Sequence, residues 1–357
     1  MQEERNPTVR SSWQKFRSDE SGGVAVIMAL MLTGILMMAS LVLDLGHLTT
    51  VSAEVRKAAE AGAYAGARAL RLGADPAVLD WNNGRNVATS TVQQNSADHL
   101  PLADFTVANV QAGYWDTRWT RSTVPANLNG APNPATTGYT PASASEVPAV
   151  KVTVAKTQGG TGSNAPVATY FASLMGIYSM GAQSTATAML PTPKMVPPGD
   201  CFPLASPNSY VGQYYDSDPP HVFRIGDGYQ NPDSGDWTSF DVDANNVPYI
   251  RKLIDDGNPT ALSIGDHIWI EPGVKNTLYS YAAERIGQTV LLPVVADNFD
   301  THAWTPIANF VGFKITDTNQ GTDPYIEGHF VRGYTINDAS GAGGSYMGTS
   351  MPPKLVQ

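Results

Sequence analysis

The chain has 357 residues, enough for two domains with sizeable apolar cores, and only 15% of them are charged. Gly, Pro, Ser, Thr and Asn are plentiful, a balance typical of β-rich extracytoplasmic domains. A net charge of −10 with no run of Lys and Arg excludes a nucleic-acid surface, and the lone Cys201 excludes an intrachain disulfide or a cysteine-rich zinc site.

After a cytoplasmic-type N-terminal segment (1–23) comes "GGVAVIMALMLTGILMMASLVLDLG", which carries no charge from Val24 to Leu43. About twenty residues at roughly 1.5 Å each span about 30 Å, the hydrocarbon thickness of a bilayer. The run is longer than the apolar region of a signal peptide and lacks a small-residue cleavage site close behind it. We therefore expect a transmembrane helix over 24–45, with Val24 and Asp44 at its edges. A carboxylate is tolerated at an interface far better than at the bilayer centre. Arg5, Arg10, Lys15 and Arg17 favour a cytoplasmic N-terminus, which puts the C-terminal bulk outside.

The helix is expected to continue through "TTVSAEVRKAAEAGAYAGARALRLG", which has no proline and ends at Gly73 as its cap. Val55, Ala59, Gly62, Gly66 and Ala69 recur at helical spacing and make a face of small residues. Such a face fits a close neighbour, either the protein's own sheet or a partner helix.

The order "ESGGVAVIMALML", "LVLDLGHL" and "AEVRKAAEAGAYAGARAL" resembles the N-terminal region of the TadE/TadG-like family of Flp (tight adherence) pilus assembly proteins, over about Glu20 to Leu70. The resemblance implies a bacterial inner-membrane, single-pass protein with a periplasmic bulk that helps to assemble or anchor an adhesive pilus. Processed, prepilin-like members carry Glu at the fifth position after the glycine. Met28 stands there, so the resemblance is to the unprocessed, TadG-like branch. The Asp-x-Ser-x-Ser metal motif of members with a von Willebrand A domain is not found.

Downstream, "DPAVLDWNNGRNVATSTVQQN" reads as a helix and "DFTVANVQAGYW" as a strand, followed by a low-complexity loop (121–149). "VPAVKVTVAK" and "YSMGAQSTATAML" alternate as strands, while "PVATYFASLMG" reads as a short helix opened by Pro166 and closed by Gly176. These elements predict an α+β periplasmic domain over 46–190, a pilin-like layout of a long helix packed on a small sheet. A Pro-rich linker (191–200) follows. Next comes a β-rich second domain (201–337) with two helices, "VPYIRKLIDDG" and "NTLYSYAAERIG", the latter with Asn276 as its N-cap. A flexible tail (338–357) closes the chain.

Motif reading finds no catalytic, cofactor-binding or metal-ligating residues: there is no His-Glu-x-x-His, nucleophile elbow, P-loop or dinucleotide fingerprint. "DVDANNVPYIRK" departs from a calcium loop at Asn246 and Lys252, which leaves the surrounding aspartates (Asp216, Asp218, Asp227, Asp233, Asp236, Asp241 and Asp243) as solvated turns. His267, Trp269 and Glu271 alternate on one side of a strand as a candidate binding face, or as its wet side. The sequence thus points to a structural assembly protein, not an enzyme. No cofactor and no nucleic acid are expected; membrane lipid and other pilus-assembly proteins are the expected partners, with a surface polymer as a candidate ligand that the sequence leaves open. An anchored or secreted envelope hydrolase with dispersed site residues, or a cleaved minor pilin, are the alternatives.

Overall fold

A proline-free, alanine-rich stretch can propagate helix without interruption, and Ser21–Ala69 forms one continuous helix, α1, ending in a 3-10 turn at Leu70–Leu72. At about 1.5 Å per residue it is roughly 70 Å long. The computed structural model describes residues 21–72, 79–117, 146–215, 219–226, 235–243, 246–271, 276–297, 302–337, 339 and 348–356. Several expectations fall outside these residues: the 1–20 segment, the cap at Gly73, most of the low-complexity loop, and Asp216, Asp218, Asp227 and Asp233.

The two halves of α1 live in different surroundings. From Val24 to Leu43 the large apolar side chains are exposed, and the hydroxyls of Thr33 and Ser40 are satisfied by the helix itself, donating to the carbonyls of Ala29 and Met37 at 2.7 Å. From Val51 onward one face is buried: Val51, Val55, Ala58, Ala59, Ala63, Ala67 and Leu70 join a hydrophobic core. Two partners cover that face. Helix α2 (Trp81–Gln93), capped by the Asp80 carboxylate accepting from the Asn83 N–H at 2.8 Å, contributes Ala88 and Val92. An antiparallel sheet of β1 (Val110–Asp116), β2 (Glu146–Lys156) and β3 (Ala182–Met189) contributes Val150, Val152, Ala186 and Ala188.

The second unit is built on α3 (Asn208–Tyr214), α4 (Val247–Asp256), α5 (Asn276–Ala282) and seven strands: β4 (Leu204–Pro207), β5 (Phe223–Ile225), β6 (Asp236–Phe240), β7 (His267–Ile270), β8 (Thr289–Val295), β9 (Ala303–Asn319) and β10 (Tyr325–Val331). Their order is β5-β10-β9-β7-β6-β4-β8, and β8 also pairs with β9, so five strands close into a ring. The long β9 makes this closure, pairing with β7, β8 and β10 along successive parts of its length. Successive residues of β8 enter different cores, Leu292 and Val294 on one face and Leu291 and Val295 on the other, which explains its unbroken apolar sequence. The protein is α+β, with a long N-terminal helix and a β-rich remainder.

Five sequence expectations differ from the structure. "PVATYFASLMG" forms no α-helix: Val167–Ala168 pairs with Ser179–Met180, and only Ala172–Met175 turn, as a 3-10 helix ended by Gly176 at φ 83°. The β-prone Val, Thr, Tyr and Phe at its start oppose helix. The Pro-rich 191–200 stretch is packed, with Met195–Val196 paired to Leu262–Ser263 and Val196 fully buried. The described part of the closing segment, 348–356, is paired and packed: Thr349–Ser350 pairs with Tyr334–Thr335, Met351 is buried, and Lys354–Leu355 adds to the open edge of β3. An open edge offers unpaired backbone groups, and this segment satisfies them. Asn276 opens α5 without capping it; its amide exchanges hydrogen bonds with the backbone of Gly321 at 2.8 and 3.0 Å. The short helix α3 adds a third to the two expected.

The α1–α2 crossing depends on missing side chains. A Cβ on Gly66 would stand 2.8 Å from the Gly84 carbonyl oxygen, 2.8 Å from Ala88 Cβ and 3.0 Å from Val150 Cγ1, and a Cβ on Gly62 would stand 2.6 Å from Val92 Cγ2. Gly34, in the exposed half, has nothing within 4 Å. Gly66→Ala should therefore destabilise the fold by about 1–3 kcal/mol, the usual cost of overpacking. Gly34→Ala should leave stability unchanged or raise it. Thermal unfolding of the detergent-solubilised protein, followed by near-UV circular dichroism, separates the two.

Candidate membrane-anchoring junction

The site of interest lies where α1 passes from its exposed half to its packed half. Asp44 is the first residue along the described part of α1 to be buried, with 3% of its surface exposed. Its carboxylate accepts from the backbone N–H groups of Tyr170 at 2.8 Å and Phe171 at 3.0 Å, and from that of Ala172. These amides begin the 3-10 turn and have no partners within it. Asp44 thus satisfies three donors of a segment far along the chain, and the hairpin 167–180 is fastened to α1 at this point.

One turn further, His47 Nε2 lies 2.9 Å from Asp98 Oδ1, and its ring is 5.3 Å from that of Tyr170. Asp98 and His99 sit at positive φ (58° and 62°) in the tight connection between the paired dipeptides Ser96–Ala97 and Leu100–Pro101. The Asp98 N–H donates to Glu54 of α1 at 2.8 Å. Two hairpins therefore grip α1 immediately beyond its exposed apolar half. The root of the 167–180 hairpin is tied separately: Asp104 accepts from the Ser163 N–H at 2.8 Å and from its hydroxyl at 3.1 Å, and the buried Lys156 ammonium donates to the Ser163 carbonyl at 2.9 Å. Those Ser163 hydrogen bonds hold the Asp104 carboxyl below the ordinary carboxylate range, against an opposing desolvation.

The residues singled out in the sequence are distributed as follows. Val24 is exposed and Asp44 is buried in the junction. Val55, Ala59, Gly62, Gly66 and Ala69 are all buried in the fold, and both glycines meet α2 and β2. In the second unit only His267 of the trio is open. Trp269 lies edge-on to Trp304 at 5.5 Å, with His302 at 6.0 Å, and Glu271 is fully buried beyond the end of β7. The three therefore do not form an open face. Among the described residues no group of three His, Cys, Asp or Glu is placed to hold a metal ion.

Motif reading missed Tyr170, Phe171, Ala172 and Asp98. A signal for the first three does exist: no Asp, Glu, Lys or Arg occurs between Lys156 and Lys194. A charge-free run with clustered aromatics in a surface hairpin is unusual, since surfaces are normally rich in charge.

Among the described residues one long apolar helix is fit by length and composition to cross a membrane, and it continues into an α+β unit. Residues 22–69 match the Tad family model, described as "Putative Flp pilus-assembly TadE/G-like". The matched segment corresponds closely to α1. No curated protein and no solved structure matches the chain.

Asp44→Ala removes the acceptor for three amides that remain out of reach of other partners. Hydrogen exchange at Tyr170, Phe171 and Ala172 should accelerate by about an order of magnitude or more, the scale set by losing hydrogen bonds to a charged acceptor. Exchange in β8 should be unaffected. For Asp104 the folded pKa lies below the unfolded value of about 3.9. Its contribution is therefore complete above that value and is lost as pH falls through the folded pKa. Wild type should melt above Asp104→Asn at neutral pH, and the difference should persist through pH 5 and disappear only under more acidic conditions.

Proposed function

We propose that this protein is a membrane-anchored structural component of a bacterial Flp-type pilus assembly system. The observation that carries the reading is the coincidence of the family match at 22–69 with a single helix whose first half is exposed and apolar and whose second half is built into the fold. On this reading residues 24–45 cross the inner membrane, with the N-terminus cytoplasmic and the remainder periplasmic. The first unit (46–190) holds the anchor, and the β-rich unit (201–337) presents surface to other assembly proteins. The role is scaffolding rather than catalysis. Burial of Gly62 and Gly66 against α2 supports an anchor helix whose small-residue face serves its own domain, leaving partners to meet other surfaces.

The test is membrane fractionation of the protein in a bacterium carrying a Flp-type system, with intact-mass and N-terminal analysis of the recovered chain. We expect an inner-membrane protein that retains residues 1–23 and is cut by protease added to the periplasmic side. A mature start at Val24 would make it a processed minor pilin. Recovery in a soluble fraction with a start beyond Asp44 would make it a secreted protein and overturn the reading.

A further inference from the structure

The hairpin that Asp44 fastens carries an apolar tip. Tyr170, Phe171, Leu174, Met175, Ile177 and Tyr178 are all exposed, with Leu174 at 83% and Tyr178 at 73%. The backbone supports this display. Val167–Ala168 pairs with Ser179–Met180 at the base, the Thr169 N–H donates to the Tyr178 carbonyl at 3.2 Å, and Ala172–Met175 make a turn closed by Gly176. Only Ala172 of the tip is buried, at the side facing Asp44. A water-facing loop of this composition has an unfavourable surface, because each large apolar side chain left in water forgoes the gain of burial.

What covers the tip follows from where it is held. The Asp44 hydrogen bonds hold residues 170–172 against α1 at the end of the charge-free run, whose last side chains, Leu41, Val42 and Leu43, are exposed. If residues 24–43 fill the hydrocarbon core, Asp44 lies at its boundary, and an interfacial layer several ångströms deep extends outward from there. The backbone of residues 170–172 is held at the level of Asp44. The composition of the tip suits that layer: two tyrosines flank the most exposed aliphatic side chains, and tyrosine, with an apolar ring and a polar hydroxyl, favours the headgroup level. No charge between Lys156 and Lys194 opposes insertion.

We propose that the 170–178 tip is a second membrane contact, a monotopic loop that inserts Leu174 and Met175 into the outer interface of the same bilayer that α1 crosses. The inference rests on the anchoring reading of α1. With two contacts, one spanning and one interfacial, rotation about the helix axis is restrained, so the periplasmic units hold a defined face toward the membrane. Asp44 acts as the positioning residue, holding the tip at the level of the interface.

The experiment uses the full chain in phosphatidylcholine–phosphatidylglycerol vesicles at low protein-to-lipid ratio. Single labels of an environment-sensitive fluorophore go on Leu174→Cys, on Leu36→Cys as a reporter of the anchor, and on Thr322→Cys in the turn between β9 and β10. The native Cys201 is buried and stays unlabelled. Labels at 36 and 174 should be blue-shifted and should lose emission to lipids carrying a nitroxide on the acyl chain, deeper for 36 and shallow for 174. The label at 322 should behave as in water. Quenching at 36 with a water-like label at 174 would overturn the insertion while leaving the anchor standing. A blue shift at 174 without nitroxide quenching would place a second copy against the tip and overturn the lipid assignment. No quenching at 36 would remove the anchoring reading and this inference with it. In Asp44→Ala, quenching at 174 should weaken while that at 36 is retained.

Discussion

One unbroken helix carries two kinds of surface. In its first half α1 presents exposed apolar side chains all round; in its second half it presents a narrow stripe of small residues to a protein interior. The backbone hydrogen bonds are the same throughout, so nothing in the helix itself marks the change. Asp44 marks it. Its carboxylate follows directly on the charge-free run and finds three backbone donors from the 167–180 hairpin. The remaining junction contacts, His47 to Asp98 and Glu54 to the Asp98 amide, lie within three turns of it.

The packed half of α1 then organises the first unit. Glycine at 62, 66 and 84 removes the side chains that would hold α1 and α2 apart, so the helices approach through backbone and small groups while Val150 and Val152 of β2 close the other side. The second unit hangs from the same sheet by both of its ends. The chain leaves at the end of β3, and the Leu190 N–H donates to the Pro148 carbonyl at 2.6 Å. It returns as Lys354–Leu355, paired with Met189 and Ala188. The Met351 N–H donating to the Pro191 carbonyl at 2.8 Å joins the outgoing and returning segments. Two connections side by side give the β-rich unit a fixed attachment where composition alone suggested a linker and a free tail.

Much of this was legible from local pattern. The charge-free run, the small-residue stripe, the alternation of Val150, Val152 and Val154, and the apolar face Ile250, Leu253 and Ile254 with Gly257 beyond it all report on burial through the period of the element that carries them. The failures share a cause. Tyr170 to Met175 has the length of a helical turn, but its conformation is set by Asp44, more than a hundred residues earlier. Asn276 has the chemistry of an N-cap, yet Gly321 takes its amide. Trp269 and Glu271 alternate like an exposed face, yet strand β9 and its Trp304 cover the tryptophan and the carboxylate is buried.

The sequence by itself determined the elements that need only their own neighbours: the long α1 with its charge-free first half, the α+β class, the strands of period two and the resemblance carried by residues 20–70. Those properties follow from side-chain spacing and helix propensity, and neither needs a partner. The tertiary structure alone decided what Asp44 binds, which residues cover the small-residue stripe, how β9 closes a ring, and that the C-terminal segment completes the first sheet. Each of these joins residues remote in the chain, and hydrogen-bond donors and open edges do not name their distant partners in advance.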